Sequence, residues 1–259
     1  MKYSLVILSN YKYRDLWPIN NHYLKNNWPE IYDDTYIITD KSDISSVGDV
    51  KVITVPSESF SERIHFSVRE IEADYIVLLL DDYFLTKKIN NDKINYIVEF
   101  MIKNKVDYVR VFKVPRQKKK KMEPNSELYK IDLNINYAVN LQPGIWRKEA
   151  LLNISEGNMN PWEFEVSMRK KSIKKGYNCY ATLGNELPFE HGLLRGKYFR
   201  KTYKKVKNDE LLTNNRKQLT RFEEFKYKSK VRMSHMIPQK AKSIFKKVLK
   251  KFGFKFYTE

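Results

Sequence analysis

The chain has 259 residues, with 49 Lys and Arg against 31 Asp and Glu, a net charge of +18 and a pI near 9.6. That length supports a full core, as one large α/β domain or a domain with an appendage, while a single cysteine, Cys179, excludes an intrachain disulfide and a Cys-rich zinc site and agrees with a reducing cytoplasm. No run approaches the roughly eighteen apolar residues of a membrane span, so the sequence reads as that of a non-integral protein.

In chain order, the apolar stretch near the N-terminus is too short for a signal h-region and reads as a strand over Leu5 to Leu8. Further strand signals fall at Tyr36 to Thr39, Val52 to Val55, Tyr75 to Leu80 and Tyr108 to Phe112, separated by segments of helical length at Leu16 to Asn26, Ser61 to Glu72 and Asp92 to Lys103. This βαβ rhythm predicts an α/β fold, a mostly parallel sheet in three layers with right-handed crossovers. The run Tyr75-Ile-Val-Leu-Leu-Leu80 is apolar throughout, which suits a central strand covered on both faces, and it ends in Asp81 and Asp82. Ligands of open α/β sheets gather at the carboxyl ends of such strands, and a hard divalent ion takes one or two carboxylates plus substrate phosphates there. The plainer reading is two acids closing a surface turn.

A Lys-rich interruption over Arg116 to Ser126 predicts a mobile loop, and Tyr137 to Trp146 follows it. Asn160-Pro-Trp-Glu163 then opens a helix over Phe164 to Lys175: Pro161 suits its first turn, Glu163 and Glu165 its positive end, Lys170 to Lys175 its other end, and Gly176 its stop. A strand over Tyr177 to Leu183 is expected next. From residue 201 to 259 the chain reads as a basic helical extension. Within it, Ile244, Phe245, Val248, Leu249 and Phe252 form an apolar stripe over Lys242 to Phe256, with lysines elsewhere. Such a helix can lie on an anionic membrane surface, dock on the preceding domain, or pair two subunits into a homodimer.

The charge calls for an anionic partner: nucleic acid, anionic lipid or a phosphorylated substrate. Basic residues crowd into Arg116 to Lys121 and from Arg195 onward, whereas the first hundred residues mix both signs, unlike a uniform nucleic-acid footprint. The alternative function, a basic nucleic-acid-binding protein without catalytic activity, has the charge and the 14% aromatic content in its favour, but acids at a strand end repel phosphate unless a cation intervenes, so no nucleic-acid partner is expected. Ser9-Asn-Tyr-Lys-Tyr-Arg14 contains no glycine, and neither the P-loop nor the dinucleotide-binding glycine pattern occurs, which argues against a nucleotidyltransferase, a P-loop kinase and a dinucleotide enzyme.

Three segments in order, the Asp81-Asp82 junction, Gln142-Pro-Gly-Ile-Trp146-Arg147, and Trp162-Glu-Phe-Glu-Val-Ser-Met-Arg169 with Lys175-Gly-Tyr177, resemble the GT-A class of nucleotide-sugar glycosyltransferases. More narrowly they are similar to bacterial enzymes of capsular and lipopolysaccharide synthesis, and the resemblance covers roughly residues 1 to 200. It implies a GT-A domain there, a UDP- or GDP-sugar donor, and an oligosaccharide or lipid-linked acceptor at the inner face of the membrane. It further implies a Mn²⁺ or Mg²⁺ ion that offsets the charge of the leaving diphosphate. The acids of the family motif are separated by one residue, whereas here they are adjacent. Neighbouring side chains on a strand point to opposite faces, which favours Asp82 as the direct ligand and leaves Asp81 to ribose or to the metal through water. By the same resemblance His191 completes the ion site, Arg195 steadies the diphosphate in a flexible basic loop, and Ser9 and Asp40, where strands one and two end, meet the base and ribose. Arg63, at the start of the helix before the acidic strand, is placed to reach phosphate. The plainer readings are a structural histidine for His191 and turn or capping chemistry for Ser9, Asp40 and Arg63. Glu163 falls at the position of the base that removes the acceptor proton in an inverting displacement. The bland reading of Glu163 is a carboxylate that complements its own helix dipole. Trp146 and Trp162 read equally as sugar platforms and as core aromatics.

Overall fold

The computed structural model describes residues 3–111, 127–213 and 215–236. The Lys-rich stretch Arg116 to Ser126 and the amphipathic segment Lys242 to Phe256 lie outside the described residues. The chain divides into two compact units, Met1–His191 and Gly192–Glu259.

The first unit opens with β1 (Tyr3–Leu8), a 3-10 turn over Tyr11–Leu16, α1 (Trp17–Asn27), β2 (Thr35–Thr39), the short β3 (Ser46–Val47) and β4 (Val50–Thr54). It continues through α2 (Phe60–Glu70), β5 (Tyr75–Leu80), β6 (Tyr83–Leu85), α3 (Asn91–Lys103), β7 (Tyr108–Arg110) and β8 (Leu128–Lys130). It closes with β9 (Gly144–Arg147), α4 (Lys148–Ser155), α5 (Pro161–Lys175), β10 (Cys179–Thr182) and β11 (Phe189–His191).

Nine of these strands form one sheet in the order β3-β4-β2-β1-β5-β9-β7-β10-β8, and β6 pairs with β11 in a separate ribbon. Strands β4, β2, β1 and β5 pair in parallel, as do β7 and β10. The α/β class and the mostly parallel sheet are as the strand and helix rhythm predicts. Apolar alternation explains the layering. Leu5, Ile7, Val77 and Leu79 face one way and pack with Trp17 and Leu24 of α1 and Ile94, Val98 and Met101 of α3. Val6, Leu8, Ile76 and Leu78 face the other way against Phe60, Ile64 and Val68 of α2, Leu151 of α4 and Phe164 and Met168 of α5. Burial on both faces is what allows β5 to be an unbroken apolar run.

Within the segment Gln142 to Arg147, to which the sequence assigns no element, Gly144–Arg147 is strand β9, wedged antiparallel between β5 and β7. Four residues behind Pro143 are too few for a periodic signal. The strand passes through the middle of the sheet, so Trp146 is buried, its ring 4.3 Å from that of Tyr108.

Helix ends follow local chemistry. Ser59 and Asn90 accept the N–H groups of Glu62 and Lys93 at the starts of α2 and α3, and Gly176 ends α5 in the left-handed region with φ of 66°. In the second unit, β12 (Leu193–Leu194) and β13 (Lys197–Tyr198) form a hairpin followed by α6 (Arg200–Asn208) and α7 (Arg221–Met236). Its two turn residues, Arg195 and Gly196, both have positive φ, 52° and 77°, which matches the twist of the flanking strands.

Gly144 pairs with Leu78 on one side and Arg110 on the other, and a Cβ there would lie 2.5 Å from Cε2 of the buried Tyr108 ring. Gly144→Ala is therefore expected to destabilise the protein by about 1–3 kcal/mol, read as a lower melting temperature with unchanged secondary structure below the transition.

Candidate functional site

The order of the sheet reverses at β1 and β5, since β2 and β4 lie to one side of β1 and β5 to the other. The crevice outside the carboxyl ends of such a pair is where open α/β sheets bind ligands. Here the two strand ends are bound to each other. Asp81 N–H donates to Leu8 O at 3.1 Å, Ser9 Oγ donates to Asp81 Oδ2 at 2.6 Å, and Trp17 Nε1 donates to Ser9 Oγ at 2.8 Å. Asn20 Nδ2 of α1 donates to Asp81 O at 2.8 Å. Asp81 is thus a buried acid held by the end of β1 and by α1.

The structure brings Asp82 and His191 together, with Asp82 Oδ2 lying 2.8 Å from His191 Nε2. The β6–β11 ribbon explains the encounter: Tyr83 pairs with His191 in its register, and their rings stack with centroids 5.2 Å apart. The other carboxylate oxygen, Asp82 Oδ1, is buried without a hydrogen-bond partner. A buried anionic oxygen of this kind is costly unless a donor or cation meets it. Among the described residues no group of three or more His, Cys, Asp or Glu is placed to hold a metal ion. With His191 Nε2 donating to Oδ2, the unpartnered Oδ1 is the atom left for an ion, and one carboxylate still fits Mg²⁺ or Mn²⁺, which take much of their coordination from substrate phosphates and water.

Asp40 and Arg63 gather at the same edge. Asp40 Oδ1 accepts Tyr11 N–H at 2.8 Å and Thr39 Oγ1 at 3.2 Å. Burial by itself would raise the Asp40 carboxyl, yet these donors, its own N–H and the nearby Arg63 guanidinium hold it below the ordinary 3.8. Arg63 is buried, donates to Ser57 O at 2.8 Å and lies over the Phe60 ring. Burial draws its pKa down, against the opposing pull of Asp40 and Glu58. Tyr11 was not singled out by the sequence pattern. Its half-buried ring has the Arg14 guanidinium 4.3 Å from its centroid, beside Asp40. Its position directly after Ser9 and Asn10 is the only sequence signal that points to it.

The start of α5 is bound to the start of α2: Ser61 N–H donates to Met159 O at 3.2 Å, Met159 N–H donates to Ser61 Oγ at 3.0 Å, and Phe60 and Phe164 meet edge to face. Glu163 is exposed. Its Oε2 accepts the N–H of Asn160 at 3.0 Å while Asn160 Oδ1 accepts the N–H of Glu163, a reciprocal cap. Glu165, two residues on, is more deeply set. Burial pushes its carboxyl above the ordinary 4.5, opposed by the Leu141 N–H, which reaches its Oε1 at a long 3.5 Å. The loop before β9 that carries Leu141 is also held by Arg110, whose Nη1 donates to Ala138 O at 3.0 Å. Trp162 is 64% exposed. Arg195 belongs to the second unit, in the hairpin turn.

No protein-family model matches the chain, and no curated protein matches it. Solved structures similar to it include a cytidylyltransferase from Leptospira borgpetersenii, at 11% identity and a TM-score of 0.46, covering 85% of this chain and 100% of that one. A fragment of S. aureus TarS in complex with UDP is similar at 12% identity and a TM-score of 0.48, covering 73% of this chain and 60% of that one. The mannosyltransferase PcManGT from Pyrobaculum calidifontis, in complex with GDP-Man and Mn²⁺, is similar at 12% identity and a TM-score of 0.47, covering 74% and 58%. The chain thus spans under two thirds of the latter two. Likenesses this distant assign no chemistry to its residues.

The lowered Asp40 pKa has a consequence for stability. Because the folded value lies below the unfolded one, the ionised carboxylate contributes stability that is present above the ordinary aspartate pKa and is lost as pH falls through the folded value. Asp40→Asn is expected to melt below wild type at neutral pH, and the gap is expected to close on acidification below 3.8, in thermal melts taken across pH.

Proposed function

We propose that Met1–His191 binds a nucleoside-diphosphate sugar, UDP- or GDP-linked, at the carboxyl edge of β1 and β5 and transfers the sugar to a glycan or lipid-linked acceptor, as in bacterial surface-polysaccharide synthesis. The observation that carries this reading is the Asp82–His191 contact beside a buried, unpartnered Asp82 Oδ1, at the switch point of the sheet. Asp82 would hold Mn²⁺ or Mg²⁺ through Oδ1 together with diphosphate oxygens, and His191, the ligand that the resemblance implies, instead orients the carboxylate by donating to Oδ2. The ion supplies neutralisation of the charge that develops on the leaving diphosphate. The residues of the chain do the rest. Ser9, Trp17 and Asn20 keep Asp81 and the end of β5 in place, so that Asp81 anchors the strand end and does not meet the ribose, while Asp40, Arg63 and Tyr11 border the nucleotide.

The acceptor proton goes to a carboxylate at the start of α5, across the sugar from the diphosphate, which makes the displacement inverting. Glu163 is the assigned base. Its cap uses Oε2 only as an acceptor of the Asn160 N–H, and exposure leaves the group open to an acceptor hydroxyl. A second reading gives the role to Glu165, and the upward push of burial on its carboxyl favours it, since a base works best with a pKa near the operating pH. No described helix is long and apolar enough to cross a membrane. A lipid-linked acceptor would be met by a cytoplasmic enzyme at the membrane surface.

Transfer and donor hydrolysis with Mn²⁺, followed in folded variants, test the assignment. Asp82→Ala is expected to lose roughly 10²–10³-fold in kcat/KM. Glu163→Gln keeps a side-chain oxygen for the cap, so it is expected to melt like wild type and to lose about 10²–10⁴-fold in transfer. If Glu165→Gln is the inactive variant instead, and the acidic limb of the wild-type profile lies above 4.5, the second reading replaces the first. Wild-type rates in all three variants remove the proposal.

A further inference from the structure

The excess charge of the protein is confined to its second unit. Residues 1–191 hold 28 Lys and Arg against 26 Asp and Glu, a net +2, so the 21 against 5 in residues 192–259 carry +16 of the total +18. On α6, Lys201, Lys204 and Lys207 recur every third residue and are exposed, while Thr202 and Val206 are buried. On α7, Phe222 and Phe225 are 73% and 69% exposed, more than any other large apolar side chain among the described residues. Residues three apart share a helix face, and Arg221, Lys226 and Lys228 are exposed around the two rings. Arg200, Arg221, Lys228 and Phe225 line a common cleft, so cations of α6 and α7 border one phenyl ring. The acids nearby are engaged: Glu223 with Lys197 at 2.6 Å and Glu224 with Lys228 at 2.5 Å.

We infer that α6 and α7 form a docking surface for an anionic lipid bilayer, with Phe222 and Phe225 entering the interface and the surrounding lysines and arginines meeting the headgroups. A soluble polyanion would satisfy the cations and leave both rings in water. A bilayer takes both, because apolar burial and attraction to anionic headgroups add on the same helix face. Neither ring has a polar tip to solvate it, unlike the tyrosines that abound elsewhere in the chain. The surface lies in elements other than the Lys242 to Phe256 segment. It needs neither donor nor transfer, so its failure and that of the proposed reaction are separately visible.

Flotation of the full chain with vesicles tests it. Wild type is expected to float with vesicles of phosphatidylcholine containing about 30% phosphatidylglycerol, and not with phosphatidylcholine alone. Binding is expected to weaken between 0.1 M and 1 M salt, as the screening length falls from roughly 10 Å to 3 Å. Phe222→Ser with Phe225→Ser is expected to lower binding at least about tenfold, while Phe222→Trp with Phe225→Trp retains it. Lys201→Glu with Lys204→Glu and Lys207→Glu is expected to abolish it at the lower salt. All these positions are exposed, and unchanged melting temperatures show that the variants fold. Three results overturn the inference: no flotation of wild type with the anionic vesicles, wild-type flotation of the serine variant, or loss of oligonucleotide binding in that variant while its vesicle binding persists.

Discussion

The arrangement depends on one buried hydrogen bond, Ser9 Oγ to Asp81 Oδ2 at 2.6 Å, which binds the carboxyl end of β1 to that of β5. A buried carboxylate is tolerated only when donors meet it. Asp81 has the Ser9 hydroxyl, itself oriented by the Trp17 indole, and its backbone is fixed by Leu8 and Asn20. With Asp81 turned into the protein, its neighbour Asp82 is directed to the other side, toward His191. Two adjacent acids therefore divide their work. One anchors the strand end and the other is presented.

That division explains what was legible in the sequence. The six-residue apolar run of β5 and the acids behind it carry a local signal, because burial on both faces demands such a run and the strand end follows from it. The cap and stop of α5 are equally local, since Asn160, Pro161 and Gly176 each act within one turn. The antiparallel strand β9 is not local. Its residues are chosen by contacts with β5 and β7, which lie far away in sequence, and Pro143 and Gly144 look like a turn when read alone. The Asp82–His191 contact spans 109 positions and is set by the register of β6 on β11, which leaves no periodic trace in three-residue strands. Glu165 is named by its place in the first turns of α5, but the Leu141 N–H that reaches its carboxylate comes from the loop before β9, 24 positions away, and leaves no local signal.

Glu163 shows how one residue satisfies two descriptions. Acid three positions after Asn160 is what a capping box requires, and the structure contains that box. The same carboxylate stands at the end of a helix whose start is bound to α2 through Ser61 and Met159. Capping orients the side chain with one oxygen and leaves the other uncommitted by that bond.

Charge decides how an anionic substrate could be held. Residues 1–191 are nearly neutral, 28 cationic side chains against 26 anionic, so the unit has little overall field to draw in a diphosphate. At the end of β5 the adjacent charges are the carboxylates Asp81 and Asp82, and at an effective dielectric near 20 a carboxylate about 4 Å from a phosphate oxygen opposes it by roughly 4 kcal/mol. The local buried cation, Arg63, is occupied with backbone carbonyls and the field of Asp40. A diphosphate set directly against Asp82 is therefore unfavourable without a cation. It becomes favourable with a divalent cation between Asp82 and the phosphates, and the unpartnered Asp82 Oδ1 is the atom such a cation would satisfy. The acid pair, which argues against binding phosphate in isolation, is for this reason the strongest argument for binding it as a metal complex.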